Sequence, residues 1–117
     1  MITAAALPTV NLKQELCRII LNHVGHSMAI TSRELSVITG YPDRAIRLVI
    51  RDLIAEGMPI ASSTEPPMGY FIASTWEEAN HYADTVKGRL IEDAKRRRDF
   101  RRSAALYLQV GRQDRLL

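Results

Sequence analysis

Ile30-Thr31-Ser32-Arg33-Glu34-Leu35, then Gly40-Tyr41-Pro42-Asp43-Arg44, then Arg51-Asp52-Leu53-Ile54-Ala55-Glu56-Gly57 place two short helices about one tight turn. Thr31 and Glu34 have the spacing of a capping box, in which each side chain satisfies an orphan backbone amide. The helix they open runs through Leu35, Val37 and Ile38 to Thr39. Gly40 ends it, because glycine takes the left-handed conformation of a C-cap without strain. Pro42 and Asp43 suit the start of the next helix, through a preset φ and an acid beside the positive end of the helix dipole. That helix is predicted from about Asp43 to Glu56, with Gly57 as its stop.

Downstream the period changes from helical to alternating. Pro59-Ile60-Ala61-Ser62-Ser63 reads as a strand with proline at its first residue, where it costs least. Thr64-Glu65-Pro66-Pro67-Met68-Gly69 is a turn, and Tyr70-Phe71-Ile72-Ala73 is the return strand of a hairpin. Thr75 and Glu78 form a second Thr-x-x-Glu box. Behind it Trp76, Ala79, Ala83, Val86, Leu90 and Ala94 step by three and four, so Thr75 to about Leu108 is predicted as one helix. Gly88 weakens it by about 1 kcal/mol relative to alanine. Upstream, Leu12, Leu16, Ile19, Ile20, His23 and Val24 recur at helical spacing between Asn11, an N-cap, and Gly25, a stop. A helix over 11–24 follows, with Cys17 and Leu21 widening its apolar face. Met28-Ala29-Ile30 reads as a short extended piece.

The order helix, short strand, helix, glycine turn, helix, hairpin, long helix resembles the winged helix-turn-helix. The residues that carry the likeness lie in 29–73, in the three segments quoted first and in the strands Ile60–Ser63 and Gly69–Ala73. More narrowly, the chain resembles small phage and prokaryotic winged-helix proteins with a Gly-Tyr-x-x-Arg turn, here Gly40 to Arg44, a Gly-Tyr-Phe wing strand, here Gly69 to Phe71, and a long basic C-terminal helix. The likeness implies a mainly α fold with a small β-hairpin and a DNA-binding role in transcription regulation or phage- or plasmid-type replication. The expected organisation is a flexible arm over 1–10, a winged helix-turn-helix domain over 11–74, a long helix over 75–108 and a tail over 109–117.

The helix after Gly40 can be tested without the family. With Arg44 at zero and roughly 100° per residue, Leu48 and Arg51 fall beside Arg44 and Arg47 lies on the flank. Ile46, Val49, Ile50, Leu53 and Ile54 fill the opposite arc. One face is a core stripe; the other presents three arginines around a leucine. Arginine matches guanine O6/N7 and phosphate, and leucine meets a thymine methyl, as a helix in the major groove requires. The plainer reading is an amphipathic helix whose arginines pair with Asp43, Asp52 or Glu56. Arg33 and Ser32 stand where a helix N-terminus offers amides to a phosphate. Tyr41 is a second turn residue with two readings, core packing and phosphate contact. The hairpin tip carries Glu65 and no basic residue, which disfavours phosphate contact there.

Composition sets the outer limits. The chain has 117 residues, 46% hydrophobic and 25% charged, values of an ordinary globular domain. Its net charge is +3, and residues 31–75 carry −1 while residues 76–117 carry +3. The excess peaks at Lys95-Arg96-Arg97-Arg98-Asp99-Phe100-Arg101-Arg102, a run that attracts polyanions or forms a solvated helix face. The lone Cys17 excludes an internal disulfide framework and a zinc ribbon, and points to a reducing compartment. No apolar run reaches the ~20 residues of a membrane span, and Met1–Pro8 lacks the basic start of a signal peptide. His23-x-x-His26 straddles Gly25 and lacks further ligands nearby, so no metal is expected. Without a glycine-rich phosphate loop or a nucleophile elbow, neither an enzyme nor a cofactor is expected.

The resulting expectation is sequence-specific binding of double-stranded DNA in the cytoplasm, associated with the nucleoid. DNA contacts are assigned to Arg33, Tyr41, Arg44, Arg47, Leu48, Arg51 and the Lys95, Arg96, Arg97, Arg98 cluster. A homodimer seam is assigned to Trp76, Ala79, Ala83, Val86 and Leu90, extended by Phe100, Leu106 and Leu108. The competing reading is a protein-interaction module, an adaptor or assembly factor that meets its partner at the wing or the C-terminal helix.

Overall fold

Leu12, Leu16 and Ile20 recur every fourth residue and are at most 1% exposed, which fixes the face that the first helix turns inward. The computed structural model describes residues 8–116, and the side chains of residues 11–110. Residues 1–7 of the expected arm and Leu117 of the expected tail lie outside the described residues. The first helix, α1, is Pro8–Ile20. It opens earlier than Asn11 because a proline costs nothing at a first helical position, where its missing N–H has no partner to lose. It stops short of Val24 because strand pairing takes the next backbone groups. Ile72 N donates to His23 O (2.8 Å) and Gly25 N donates to Ile72 O (2.8 Å). Leu21 and Val24, read as part of the apolar face, are exposed.

Met28-Ala29-Ile30 is also shorter as a strand than expected. His26–Met28 is a single 3-10 turn, and only Ile30 pairs, with Tyr70. Helix α2, Ser32–Thr39, opens with the reciprocal box: Glu34 N donates to Thr31 Oγ1 (3.0 Å) and Thr31 N to Glu34 Oε1 (3.0 Å). Gly40 closes it at φ 78°, its N–H returning to Ser36 O (2.8 Å). Pro42 is the N-cap of α3, Asp43–Ala55. Strands β1, Ile60–Ser63, and β2, Gly69–Ile72, pair antiparallel with Ala61 opposite Phe71.

The core gathers Leu12, Leu16 and Ile20 from α1, Leu35 from α2, and Ile46, Val49, Ile50 and Leu53 from α3, closed by Ile30 and Ile60. Ile54 was expected in that stripe and is 41% exposed. It lies near the end of α3, about a quarter turn from the centre of the buried arc. Tyr70 and Ile72 of β2 pack on this core. Phe71, between them, points the other way as the strand period demands; it is buried with Ala61, and the His26 ring covers it at 5.3 Å. Both faces of the hairpin are therefore used.

The last helix, α4, is Trp76–Leu116, longer than the span to Leu108 read from the sequence. Its first-turn box is only half formed. Glu78 N donates to Thr75 Oγ1 (3.1 Å), but the Glu78 carboxylate accepts from Ser74 N (2.9 Å) and from His26 N (3.0 Å) instead of from Thr75. The chain divides into two units, one ending at Tyr82 and one beginning at Ala83. The first has the element order and hairpin of a winged helix-turn-helix; the second consists of the remainder of the long C-terminal helix.

Candidate nucleic-acid interface

Because α3 buries Ile46, Val49, Ile50 and Leu53, its opposite arc has no choice but to face solvent. Arg44, Arg47, Leu48 and Arg51 are all exposed there, with Leu48 52% exposed. An exposed leucine ringed by arginines is an apolar contact placed among cationic forks.

The arginines are not equivalent. Arg47 Nε lies 2.8 Å from Asp43 Oδ2, one helical turn back. That pair realises part of the plainer reading. Arg44 and Arg51 form no ion pair among the described residues. The other two carboxylates considered as partners are occupied differently or not at all by these arginines: Glu56, at the end of α3, pairs with Lys13 of α1, and Asp52 is exposed.

Tyr70 was missed by the sequence reading. It belongs to β2, yet the charges of Arg47 and Asp43 both act on it. Burial pushes its phenol up, the Arg47 charge pulls it down and the Asp43 charge pushes it up further. The wing strand and the start of α3 thus form one electrostatic neighbourhood. Its only trace in the sequence is the strand period, which puts Tyr70 on the helix-facing side with Ile72.

Tyr41 is half-buried and packs against the core, and its carbonyl accepts from Ser36 Oγ (2.6 Å). The packing reading is the one its surroundings favour. Arg33 is exposed at the second residue of α2 and forms no ion pair among the described residues. At the hairpin tip Glu65 is exposed, and its backbone is held: Glu65 N donates to Ser63 Oγ (3.0 Å) and the His26 Nε2–H donates to Glu65 O (3.2 Å). His23 Nδ1–H donates to Met28 O (2.6 Å), so the two histidines serve the backbone of two different turns. Cys17 is half-buried, with its thiol 3.6 Å from Met58 Sδ.

In the second unit, the basic cluster is laced with acids. Lys95 pairs with Glu92 (3.4 Å), Arg96 with Asp93 (3.6 Å) and Arg98 with Asp99 (3.3 Å). Arg97, Arg101 and Arg102 form no ion pair among the described residues. Of the seam residues, Trp76 is 83% and Leu90 68% exposed, Val86 and Ala83 are exposed, and Ala79 is half-buried. No helix among the described residues is long and apolar enough to cross a membrane. Comparisons with protein-family models, with curated proteins and with solved structures give no match to this chain.

Proposed function

We propose that this chain is a non-enzymatic binder of double-stranded DNA that reads sequence through α3, in transcription regulation or DNA replication. The observation that carries the reading is the split of α3: four apolar residues buried on one arc, and Arg44, Arg47, Leu48 and Arg51 exposed on the other. That face supplies guanidinium forks for guanine and phosphate and one apolar contact for a thymine methyl. Arg44 and Arg47, nearer the start of α3, meet base edges first; Arg51 meets phosphate. Arg33 at the start of α2 adds a phosphate contact. The test is fluorescence anisotropy with random duplex DNA at two salt concentrations, followed by binding-site selection. Binding that weakens steeply with salt and a selected consensus support the reading.

A second reading is favoured by the charge of the segment that holds α2, α3 and the hairpin. Residues 31–75 carry a net −1, the wing tip offers Glu65 without a base, and Val37 of α2 is 77% exposed beside Arg33. A domain of this kind suits a protein partner as well as a duplex. Association with DNA that is absent at low salt makes the protein-interaction module the better account.

A further inference from the structure

From Val86 to Val110 every side chain of α4 is exposed except that of Ala104. Helices of proteins draw most of their stability from packing an amphipathic face, and the local Lys95–Glu92 and Arg96–Asp93 pairs supply only about 0.2–0.5 kcal/mol each. A stretch this long therefore has an unused face.

The 3.5-residue repeat locates that face better than the straight 3.6-residue stripe. Stepping by three and four from Ala83 gives Val86, Leu90, Asp93, Arg97, Phe100, Ala104 and Tyr107. Six of these eight positions are apolar, and the two exceptions are neighbours of opposite charge. The straight stripe instead takes Ala94, Arg97 and Arg101, which puts two arginines together in the seam. A sustained seven-residue repeat is the pattern of a left-handed coiled coil.

We infer that this face pairs with the same face of a second copy of the chain, antiparallel, about a two-fold axis beside Lys95. The charges decide the orientation. In a parallel pair Asp93 meets the partner's Asp93 and Arg97 meets the partner's Arg97, two adjacent like-charge layers in the seam. Like charges placed together at an interface cost several kcal/mol. Turning one helix round converts both layers into Asp93–Arg97 ion pairs, and Arg97 is an arginine with no ion pair in its own chain among the described residues. The same register sets Leu90 against Phe100, and gives each alanine a larger partner: Ala83 meets Tyr107 and Ala104 meets Val86. The flanks oppose the pairing, since Lys87 approaches the partner's Arg101 and Arg96 approaches the partner's Arg96. Those residues are exposed, and salt screens them.

The test uses the full chain with Cys17→Ser. In the antiparallel register Leu90 lies ten residues, roughly 15 Å, from the partner's Leu90. That exceeds the ~7 Å between Cα atoms that a disulfide spans. An equimolar mixture of Leu90→Cys and Phe100→Cys chains is therefore expected to give mixed disulfides on mild oxidation, while Leu90→Cys alone gives little dimer. Sedimentation equilibrium supplies the independent measure: Arg97→Asp weakens association roughly tenfold or more, and the double exchange Asp93→Arg/Arg97→Asp restores it. A wild-type chain that stays monomeric at a hundred micromolar overturns the inference. So does a dominant Leu90→Cys self-disulfide, which is the mark of the parallel pair, or a double exchange no tighter than Arg97→Asp.

Discussion

Arg47 already has a partner in Asp43, and that sets it apart from Arg44 and Arg51. The pair is exposed, so it is worth at most about 1 kcal/mol and yields to a better ligand. The Asp43 contact is made through Nε, which leaves the two terminal nitrogens of the guanidinium for a forked contact with a guanine edge. Under the proposed reading, Arg47→Ala costs about 1–3 kcal/mol on the preferred duplex and blurs preference at one base position. Arg51→Ala weakens all duplexes more evenly, because phosphate contacts carry no base information. Both variants keep the domain folded, since neither side chain reaches the core stripe. Ile50→Ala, by contrast, empties a site only 3% exposed and is expected to cost about 2–5 kcal/mol of stability. Binding-site selection and chemical denaturation on the same variants separate these effects. If Arg44→Ala and Arg47→Ala keep wild-type affinity and preference, α3 is not the reading element.

Among the elements, those with a local chemical signal were legible in the sequence. The Thr31–Glu34 box, the Gly40 stop and the proline-stiffened hairpin each rest on residues within a few positions, and each lies close to where it was read. The misread end of α1 comes from the competition of distant strand pairing for the backbone. His23 continues the helical pattern and Gly25 reads as its stop, but both bond to Ile72, 47 or more residues away; no local period records that. Likewise Glu78 reaches His26 across the chain instead of completing its box. Gly69 was read as a turn residue, yet its stronger requirement is close approach. At φ 127° a Cβ there would stand 2.3 Å from Ile30 O. Gly69→Ala is expected to break the Ile30–Tyr70 pairing and to cost about 1–3 kcal/mol from backbone strain alone. Gly88→Ala meets nothing within 4 Å and is expected to raise helix stability by about 1 kcal/mol, so a pair of denaturation curves distinguishes a glycine needed for space from one that is not.

Two carboxylates at the element junctions are expected to make the fold sensitive to acid. Hydrogen bonds from the Thr31 backbone N–H and hydroxyl hold Glu34 below its ordinary 4.5, helped by the His23 charge. The His26 and Ser74 backbone N–H groups do the same for Glu78, with the Ser74 hydroxyl and the His26 charge adding to them. A carboxyl lowered in the folded state contributes stability that is fully present above its unfolded value and is lost as pH falls through the folded one. Urea midpoints are therefore expected to hold from neutral pH to about 5 and then to fall as the pH drops below the ordinary carboxylate range. Glu34→Gln and Glu78→Gln each flatten that fall. A double variant with an unchanged acid limb places the acid sensitivity elsewhere.

Over the whole molecule, charge is divided along the chain: −1 over residues 31–75 and +3 over 92–102, a value equal to the net charge of the entire chain. The reading face on α3 therefore sits in a domain with no net attraction for a polyanion, and under the DNA reading the general affinity has to come from the second unit. Within 92–102 the ion pairs divide the work. Lys95, Arg96 and Arg98 form ion pairs with acidic residues, whereas Arg101 and Arg102 form none among the described residues. Arg97 is committed to the proposed helix seam, so a test of phosphate binding must leave it in place. Replacing Arg98, Arg101 and Arg102 with glutamine is expected to weaken every duplex alike and to reduce the slope of log K against log salt by about 0.9 for each phosphate no longer neutralised. The selected consensus should not move, because these residues touch no base edge under the DNA reading. The replacement should also leave self-association intact or tighter, since Arg101 opposes Lys87 in the antiparallel pair. Binding isotherms at several salt concentrations measure the slope, and sedimentation equilibrium measures the pairing. An unchanged slope makes the cluster a solvated helix face, and the general affinity must then be sought among Arg33, Arg44 and Arg51.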